Sequence, residues 1–289
     1  MGLFFSSDRF TRPGPGVRPD APRKKGVARL AEIMGRDMWN FFRAGFLAFL
    51  GCLPFIIGMF FAVETHALLF MLLAGIIGGL IAGPELSAMA DTVLRSLRDE
   101  PGYWWETYRR VWKRNARESL VPGMLTGLVL SMQIFTLFHM SVISAGIVTW
   151  VLLILSFVVT LGLESYIWPQ IALLDLPLYG ILKISLLLFL GYLPRSLGAI
   201  AIKAVYWGAI LLFFPLTTII LPFTNFWLPM LPALLCIYQP LNKCFTIEST
   251  INKMREDELN AALAKDNEPL PEDPTEKAEE STEASSDVQ

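Results

Sequence analysis

The sequence is poor in charged residues, histidine and cysteine, and each shortage excludes a class of protein. Charged side chains make up 17% of the 289 residues, against roughly 25% in soluble domains. Only 2 histidines and 3 cysteines are present, with no C-x-x-C pair, so no metal, redox or other cofactor is predicted. A mean hydropathy of +0.50 excludes an ordinary soluble domain, a disordered chain and a nucleic-acid-binding domain. An integral membrane protein remains.

Long apolar runs predict an all-α fold, a polytopic bundle of about six transmembrane helices. About 20 apolar residues are needed to cross a hydrocarbon core of ~30 Å. Six stretches of residues 44–245 approach or meet this length, although prolines interrupt the last of them. They are Ala44–Val63, Ala67–Ala82 (continuing to Ala88), Val121–Phe138, Ile143–Leu163, Leu197–Leu221 and Phe226–Tyr238 (continuing to Cys244).

The distribution of Lys and Arg predicts that both termini are cytoplasmic. Nine of the 24 basic residues lie in the N-terminal segment 1–43, and seven more lie in 95–117. The predicted outer connections 64–66, 139–146 and 222–225 contain no Lys or Arg. Because cytoplasmic loops carry the excess of positive charge, these connections face outward and the basic segments face the cytoplasm.

The C-terminal segment 246–289 has the opposite charge. It holds 13 acidic and 4 basic residues, with no aromatic side chain. Such a composition cannot bury enough apolar surface to offset the entropy lost on ordering. We expect an acidic cytoplasmic tail that is mostly disordered.

Two further segments predict helices at the membrane interface. Residues 103–118 alternate an aromatic face with a basic one, which is typical of interfacial helices. An ordinary cytoplasmic helix and a lipid- or partner-binding helix are both compatible with this pattern. Residues 178–194 are apolar but short for a span, and we interpret them as interfacial or half-inserted. The basic residues of the first segment are Arg109, Arg110, Lys113, Arg114 and Arg117.

Three ionisable residues fall within or beside the predicted spans. Glu85 ends the second span, Glu164 ends the fourth, and Lys203 lies in the fifth. Because charge at the centre of a bilayer costs about 2.5–3.5 kcal/mol, such groups are candidates for a function. A solute or proton pathway, a structural Glu–Lys pair and a snorkelling Lys203 are the alternatives.

Glycines four residues apart predict close helix packing. They are Gly75, Gly79 and Gly83 on the second span and Gly123 and Gly127 on the third. Small residues at this spacing let helix backbones approach each other. Packing inside one bundle is the first interpretation, and self-association into a homo-oligomer is the second.

No pattern in the sequence predicts an enzyme. His66 and His139 fall on different predicted hairpins without the spacing of metal ligands. The chain also contains no phosphate-binding loop, nucleophile elbow or dinucleotide-binding fingerprint. We therefore expect neither catalytic nor metal-binding residues.

An ordered set of short stretches carries a family resemblance over residues 10–245. The stretches are Arg12–Val17, Ala21–Gly26, Gly35–Trp39, Gly83–Leu86, Val93–Arg95, Lys113–Asn115 and Leu193–Leu197. They resemble the YesL-like family of bacterial multi-pass membrane proteins, whose activity is not established. The family's small residues after Gly-Pro are replaced here by Glu85-Leu86-Ser87, which brings a carboxyl group near the membrane.

The resemblance implies a function in carbohydrate uptake. It points to a protein of the bacterial cytoplasmic membrane that acts as an accessory subunit or assembly factor, with the lipid bilayer and ABC importer permease subunits as partners. The alternative from the residues themselves is a small-solute transporter or channel that uses Glu85, Glu164 and Lys203.

Overall fold

The computed structural model describes residues 24–100, 102–140 and 146–251, with positions 253, 256, 257 and 260. Within these residues the chain is helical and contains no strand, which confirms the predicted all-α class. The helices are α1 (Gly26–Thr65), α2 (Leu68–Leu73), α3 (Gly79–Arg98), α4 (Trp104–Phe138), α5 (Ile147–Leu173), α6 (Leu178–Gly191), α7 (Leu193–Leu212), α8 (Leu221–Thr224) and α9 (Trp227–Phe245).

Six helical stretches of the described chain are long and apolar enough to cross a membrane, as predicted. One of them, Leu68–Arg98, joins α2 and α3 through the π-helical turn Ala74–Gly78. The others are α1, α4, α5, α7 and the stretch Leu221–Phe245. This arrangement supports a multi-pass membrane protein.

Several helices extend well beyond the predicted spans. The first span was expected from Ala44, but α1 begins at Gly26, so part of the basic N-terminal segment continues the helix. Likewise, residues 104–118 are the first turns of α4 and are continuous with the third span, without the break that a separate interfacial helix would need. Helix propensity and tertiary packing stabilise the helical conformation of these residues beyond the apolar runs.

The fifth span is shorter than predicted. We expected it to reach Leu221, but α7 ends at Leu212 and is followed by turns and the 3₁₀ segment Leu216–Thr218. Pro215 lies just before that segment, where proline cannot donate the backbone hydrogen bond that would continue the helix.

Helix α6 runs back along α5. The amide of Gln170 donates to Ser185 Oγ at 2.8 Å, and the ring of Phe189 lies against Gly162. From Leu173 at the end of α5 to Gly162 is about 16 Å at 1.5 Å per residue. The 14 residues of α6 extend only about 21 Å, which is less than the ~30 Å of a hydrocarbon core. Of the two interpretations for 178–194, this packing favours a half-inserted helix.

The predicted packing glycines lie where α4 meets α3 and the π-helical turn that precedes α3. A Cβ atom on Gly127 would lie 2.5 Å from the carbonyl oxygen of Gly75 and 2.8 Å from the Cα atom of Gly79. The helices approach each other as closely at two further positions. A Cβ atom on Gly79 would clash with the backbone oxygen of Gly123, and one on Gly83 would clash with the backbone oxygen of Ser119. Packing inside the bundle thus occupies the face on which self-association was the second interpretation.

The chain divides into two units, residues 1–240 and 241–289. In the second unit the backbone amide of Glu248 donates to Asn242 Oδ1 at 3.0 Å, just past the end of α9. Most of the predicted acidic tail, and residues 1–23 of the basic N-terminal segment, lie outside the described residues.

Candidate functional site

Three neighbouring helical stretches are longer than a bilayer is thick. α1 has 40 residues, Leu68–Arg98 has 31 and α4 has 35, or about 60, 46 and 52 Å at 1.5 Å per residue. A hydrocarbon core takes up only ~30 Å of each. The polar residues lie at one end, which we call the basic-side extension: residues 26–43 of α1, 91–100 at the end of α3, and 104–118 of α4.

Two arginines of α1 hold the end of α3 in the extension. Arg29 Nη2 donates to Asp99 Oδ2 at 2.6 Å and to the carbonyl of Leu97 at 3.1 Å. Two turns further along α1, Arg36 pairs with the other oxygen of Asp99 and donates to the carbonyl of Ser96 at 2.8 Å. The last carbonyls of a helix lack partners and carry partial negative charge, so these guanidinium groups satisfy and stabilise them.

The pKa of Asp99 reflects its position between the arginines. Partial burial opposes ionisation of this carboxyl, but hydrogen bonds from Arg36 and Arg29 outweigh burial and hold its pKa below the ordinary value. A group whose pKa is lowered in the folded state stabilises the fold above its unfolded pKa, and the stabilisation is lost as pH falls through the folded pKa.

This sign gives a testable pH dependence for the extension. We expect Asp99→Asn to lower thermal stability at pH 6–8, because Arg29 and Arg36 each lose one of their carboxylate partners. The difference from wild type should shrink below about pH 4, near the ordinary aspartate pKa of ~3.9. Melting curves of both proteins from pH 3 to pH 8 measure it. A difference that stays constant down to pH 3 would contradict the assignment.

A polar cleft of about 60 Å³ opens between the three parts of the extension. Arg95 lines it and pairs with Asp91 at 2.7 Å and with Glu100 at 3.5 Å. The aromatic ring of Trp104 forms part of the wall and lies 5.6 Å from the guanidinium of Arg43. The other lining residues are Asp37, Asn40, Phe41, Thr92, Ser96, Glu100, Gly102, Thr107 and Tyr108.

Glu85 lies on α3, two turns before the cleft residue Thr92, and its side chain faces α4. Its carboxyl accepts a hydrogen bond from Tyr108 Oη at 2.5 Å and another from Trp112 Nε1 at 2.9 Å. Its side chain also lies against Gly51 of α1, where a Cβ atom would be 2.6 Å from Glu85 Cγ. Glu85 is thus held by neutral donors and packing, and no lysine of the described residues pairs with it.

Glu164 and Lys203 do form a pair, which was one of the three predicted alternatives. Lys203 Nζ lies 3.7 Å from Glu164 Oε2, and their side chains are 9% and 17% exposed. Trp168 Nε1 donates to the other carboxylate oxygen at 3.2 Å. The pair borders a cavity of about 10 Å³ whose other lining residues are Ser165, Trp168, Pro169, Met230, Ala233 and Leu234. The burial of Lys203 argues against snorkelling.

The five basic residues of α4 separate into two groups. Arg110 pairs with Glu106 at 2.9 Å, and Arg114 donates to the carbonyl of Ala172 at 2.8 Å, near the end of α5. Arg109, Lys113 and Arg117 are exposed and bind nothing within the described residues. The sequence did not distinguish these two groups.

The chain has no match among protein-family models, curated proteins or solved structures.

The two histidines meet, contrary to what their separation in sequence indicated. His66 Nδ1 lies 2.7 Å from His139 Nε2, at the ends of α1 and α4 opposite the basic-side extension. His139 Nδ1 lies 2.8 Å from the carbonyl of Phe135, which can only accept, so this nitrogen carries the proton. In the neutral pair His66 therefore donates and His139 accepts. The described residues contain no group of three or more potential metal ligands.

Buried polar pairs within the apolar helices were missed by sequence reasoning. Tyr166 Oη and Ser196 Oγ lie 2.8 Å apart and join α5 to α7, and Gln133 Nε2 donates to Thr160 Oγ1 at 2.8 Å between α4 and α5. Isolated polar residues in apolar runs are the sequence signal for such contacts, since polar side chains in a bundle bond across helices. Their partners become known only from the packing.

Proposed function

We propose that this protein is a membrane-embedded accessory subunit or assembly factor for an ABC-type carbohydrate importer of the bacterial cytoplasmic membrane. The observation that carries the proposal is the basic-side extension. Three helices continue beyond the length of a membrane. Ion pairs such as Arg29–Asp99 join α1 to the end of α3, and hydrogen bonds from Tyr108 and Trp112 to Glu85 join α4 to α3. A helical platform that exposes aromatic and arginine side chains suits docking to a protein partner better than it suits catalysis. The YesL-like resemblance supplies the carbohydrate system.

Exposed aromatic residues on the extension support a protein partner. Trp39 is 61% exposed, Trp105 49% and Tyr103 77%. Tryptophan and tyrosine are enriched at the energetic centres of protein interfaces, because each combines a large apolar ring with a polar group that can form a hydrogen bond. The aromatic side chains lie on both α1 and α4, so a partner that contacts the extension meets more than one helix.

Purification from the native host tests this proposal. The full chain is extracted in mild detergent or nanodiscs, and co-purifying proteins are identified by mass spectrometry. We expect permease or solute-binding subunits in stoichiometric amount. The double variant Trp39→Ser/Trp105→Ser should lose at least about tenfold of the bound subunits, since each interface tryptophan contributes about 1–2 kcal/mol or more.

A matched control separates the interface from a general loss of aromatic surface. Tyr179 is 77% exposed on α6, outside the extension, and Tyr179→Ser should leave co-purification unchanged. Recovery of the wild-type protein with lipid alone would contradict a stable complex. Equal losses in the control and the double variant would contradict docking through the extension.

A second candidate is a small-solute transporter or channel, which the Glu164–Lys203 pair favours. The pair lies between α5 and α7 and borders a small cavity, as charged groups on solute and proton pathways do. This function requires flux into liposomes that contain this protein alone. The flux should be abolished by Lys203→Ala in protein that still inserts into the membrane. Liposomes without flux would leave the accessory function as the stronger proposal.

A further inference from the structure

Three cations on α4 form a single outward stripe. Arg109, Lys113 and Arg117 follow each other at intervals of four residues, which places them on one face of the helix. The opposite face of the same turns is buried through Tyr108 and Val111. The stripe therefore points away from the protein, and the three side chains have no hydrogen-bond or ion-pair partner among the described residues.

The other two basic residues of this part of α4 already have hydrogen-bond or ion-pair partners. Arg110 is paired with Glu106, and Arg114 satisfies a carbonyl at the end of α5. This distinction matters because a cation that has a partner gains less from a second anion. The structure thus reduces five basic residues to three that remain available for a ligand.

The stripe continues directly into the surface that faces lipid. One turn beyond Arg117, Leu120 and Val121 are 38% and 42% exposed at the start of the apolar part of α4. Four helical residues rise about 6 Å, so the three cations extend over about 12 Å above this apolar surface. The headgroup layer on each side of a bilayer is roughly 5–8 Å thick. Counted from Leu120, Arg117, Lys113 and Arg109 lie about 4.5, 10.5 and 16.5 Å above the apolar surface. Arg117 therefore lies within the headgroup layer, and Lys113 and Arg109 lie about 3 and 9 Å outside it, where they act on the lipid headgroups through their charge.

We infer that Arg109, Lys113 and Arg117 bind anionic phospholipids of the adjoining leaflet, with Arg117 at the lipid phosphate groups and Lys113 and Arg109 attracting them from outside the headgroup layer. The guanidinium group of Arg117 suits a bidentate contact with phosphate oxygens, and Lys113 and Arg109 supply further positive charge on the same helix face. The site lies on α4 and does not include Trp39 or Trp105, so it is independent of the proposed function.

Titration with defined lipids tests the inference. The full-length protein in mild detergent is titrated with phosphatidylglycerol or phosphatidylcholine, and bound lipids are counted by native mass spectrometry. Anionic lipid gains about fivefold in affinity for each nearby basic residue, equivalent to about 1 kcal/mol. We expect Arg109→Gln/Lys113→Gln/Arg117→Gln to weaken phosphatidylglycerol binding by at least about tenfold. Phosphatidylcholine binding should remain unchanged.

The control is a charge change on the same helix. Glu106→Gln/Arg110→Gln removes the paired neighbours without touching the stripe, and its phosphatidylglycerol affinity should match that of wild type. Equal affinity in the triple variant and wild type would overturn the inference. So would equal binding of the two lipids to wild type. A triple variant that keeps its phosphatidylglycerol but loses a co-purifying subunit would instead identify the stripe as a protein-docking surface.

Discussion

Replacing Gly79 by alanine is expected to destabilise the bundle strongly for a change of one methyl group. The new Cβ atom would clash with the backbone oxygen of Gly123 and lie 3.1 Å from the Cα atom of Met124. Neither is the end of a flexible side chain, so α3 and α4 would have to separate. Overpacking of this kind costs about 1–3 kcal/mol, and Gly79→Leu should cost more.

The measurement is thermal unfolding in detergent, followed by size-exclusion chromatography of the heated sample. Gly208→Ala is the matched control, since Gly208 also lies in an apolar helix but a Cβ atom there meets nothing within 4 Å. We expect the control to unfold at the wild-type temperature or slightly above it, because alanine favours helix over glycine. A Gly79→Ala protein as stable as the control would show that α3 and α4 do not pack closely at this position.

Breaking the Glu164–Lys203 pair is the second large effect that we expect. Lys203→Met leaves the Glu164 carboxyl largely buried with only Trp168 as a donor, and Glu164→Gln leaves the ammonium group of Lys203 without an anion. Removing one member of a buried pair costs about 3–5 kcal/mol, because the remaining charge must be buried alone or neutralised.

The double variant Glu164→Gln/Lys203→Met distinguishes a pair from two independent residues. Replacing a whole buried pair by neutral side chains of similar size is often close to neutral. We therefore expect the double variant to be more stable than either single variant, as measured by unfolding in the same detergent. Losses that add up in the double variant would mean that the two side chains stabilise the protein separately. If the double variant has the expected stability, it can also be used to test whether the proposed transport requires the pair.

The hydrophobic pattern alone predicted the class of fold and the number of spans. Twenty-residue apolar runs have few alternatives to transmembrane helices, because backbone polar groups must be satisfied inside the lipid. The same reasoning located Gly79 and Gly123 as packing positions, since only small residues allow close backbone approach. A Glu–Lys pair among Glu85, Glu164 and Lys203 was predicted because a lone charge in the membrane is costly, but the sequence did not decide which glutamate takes part.

The tertiary structure decided what depended on the rotation and length of the helices. Glu85 and Glu164 occupied similar positions in their runs, yet only Glu164 faces Lys203, while Glu85 faces Tyr108. His66 and His139 meet because α1 and α4 end side by side, which no spacing in the sequence records. The five cations of α4 belong to one sequence pattern, and only the packing of α4 against α5 shows that Arg114 has a hydrogen-bond partner. Composition and periodicity determine which residues enter a membrane, but the partner of each side chain depends on how neighbouring helices pack.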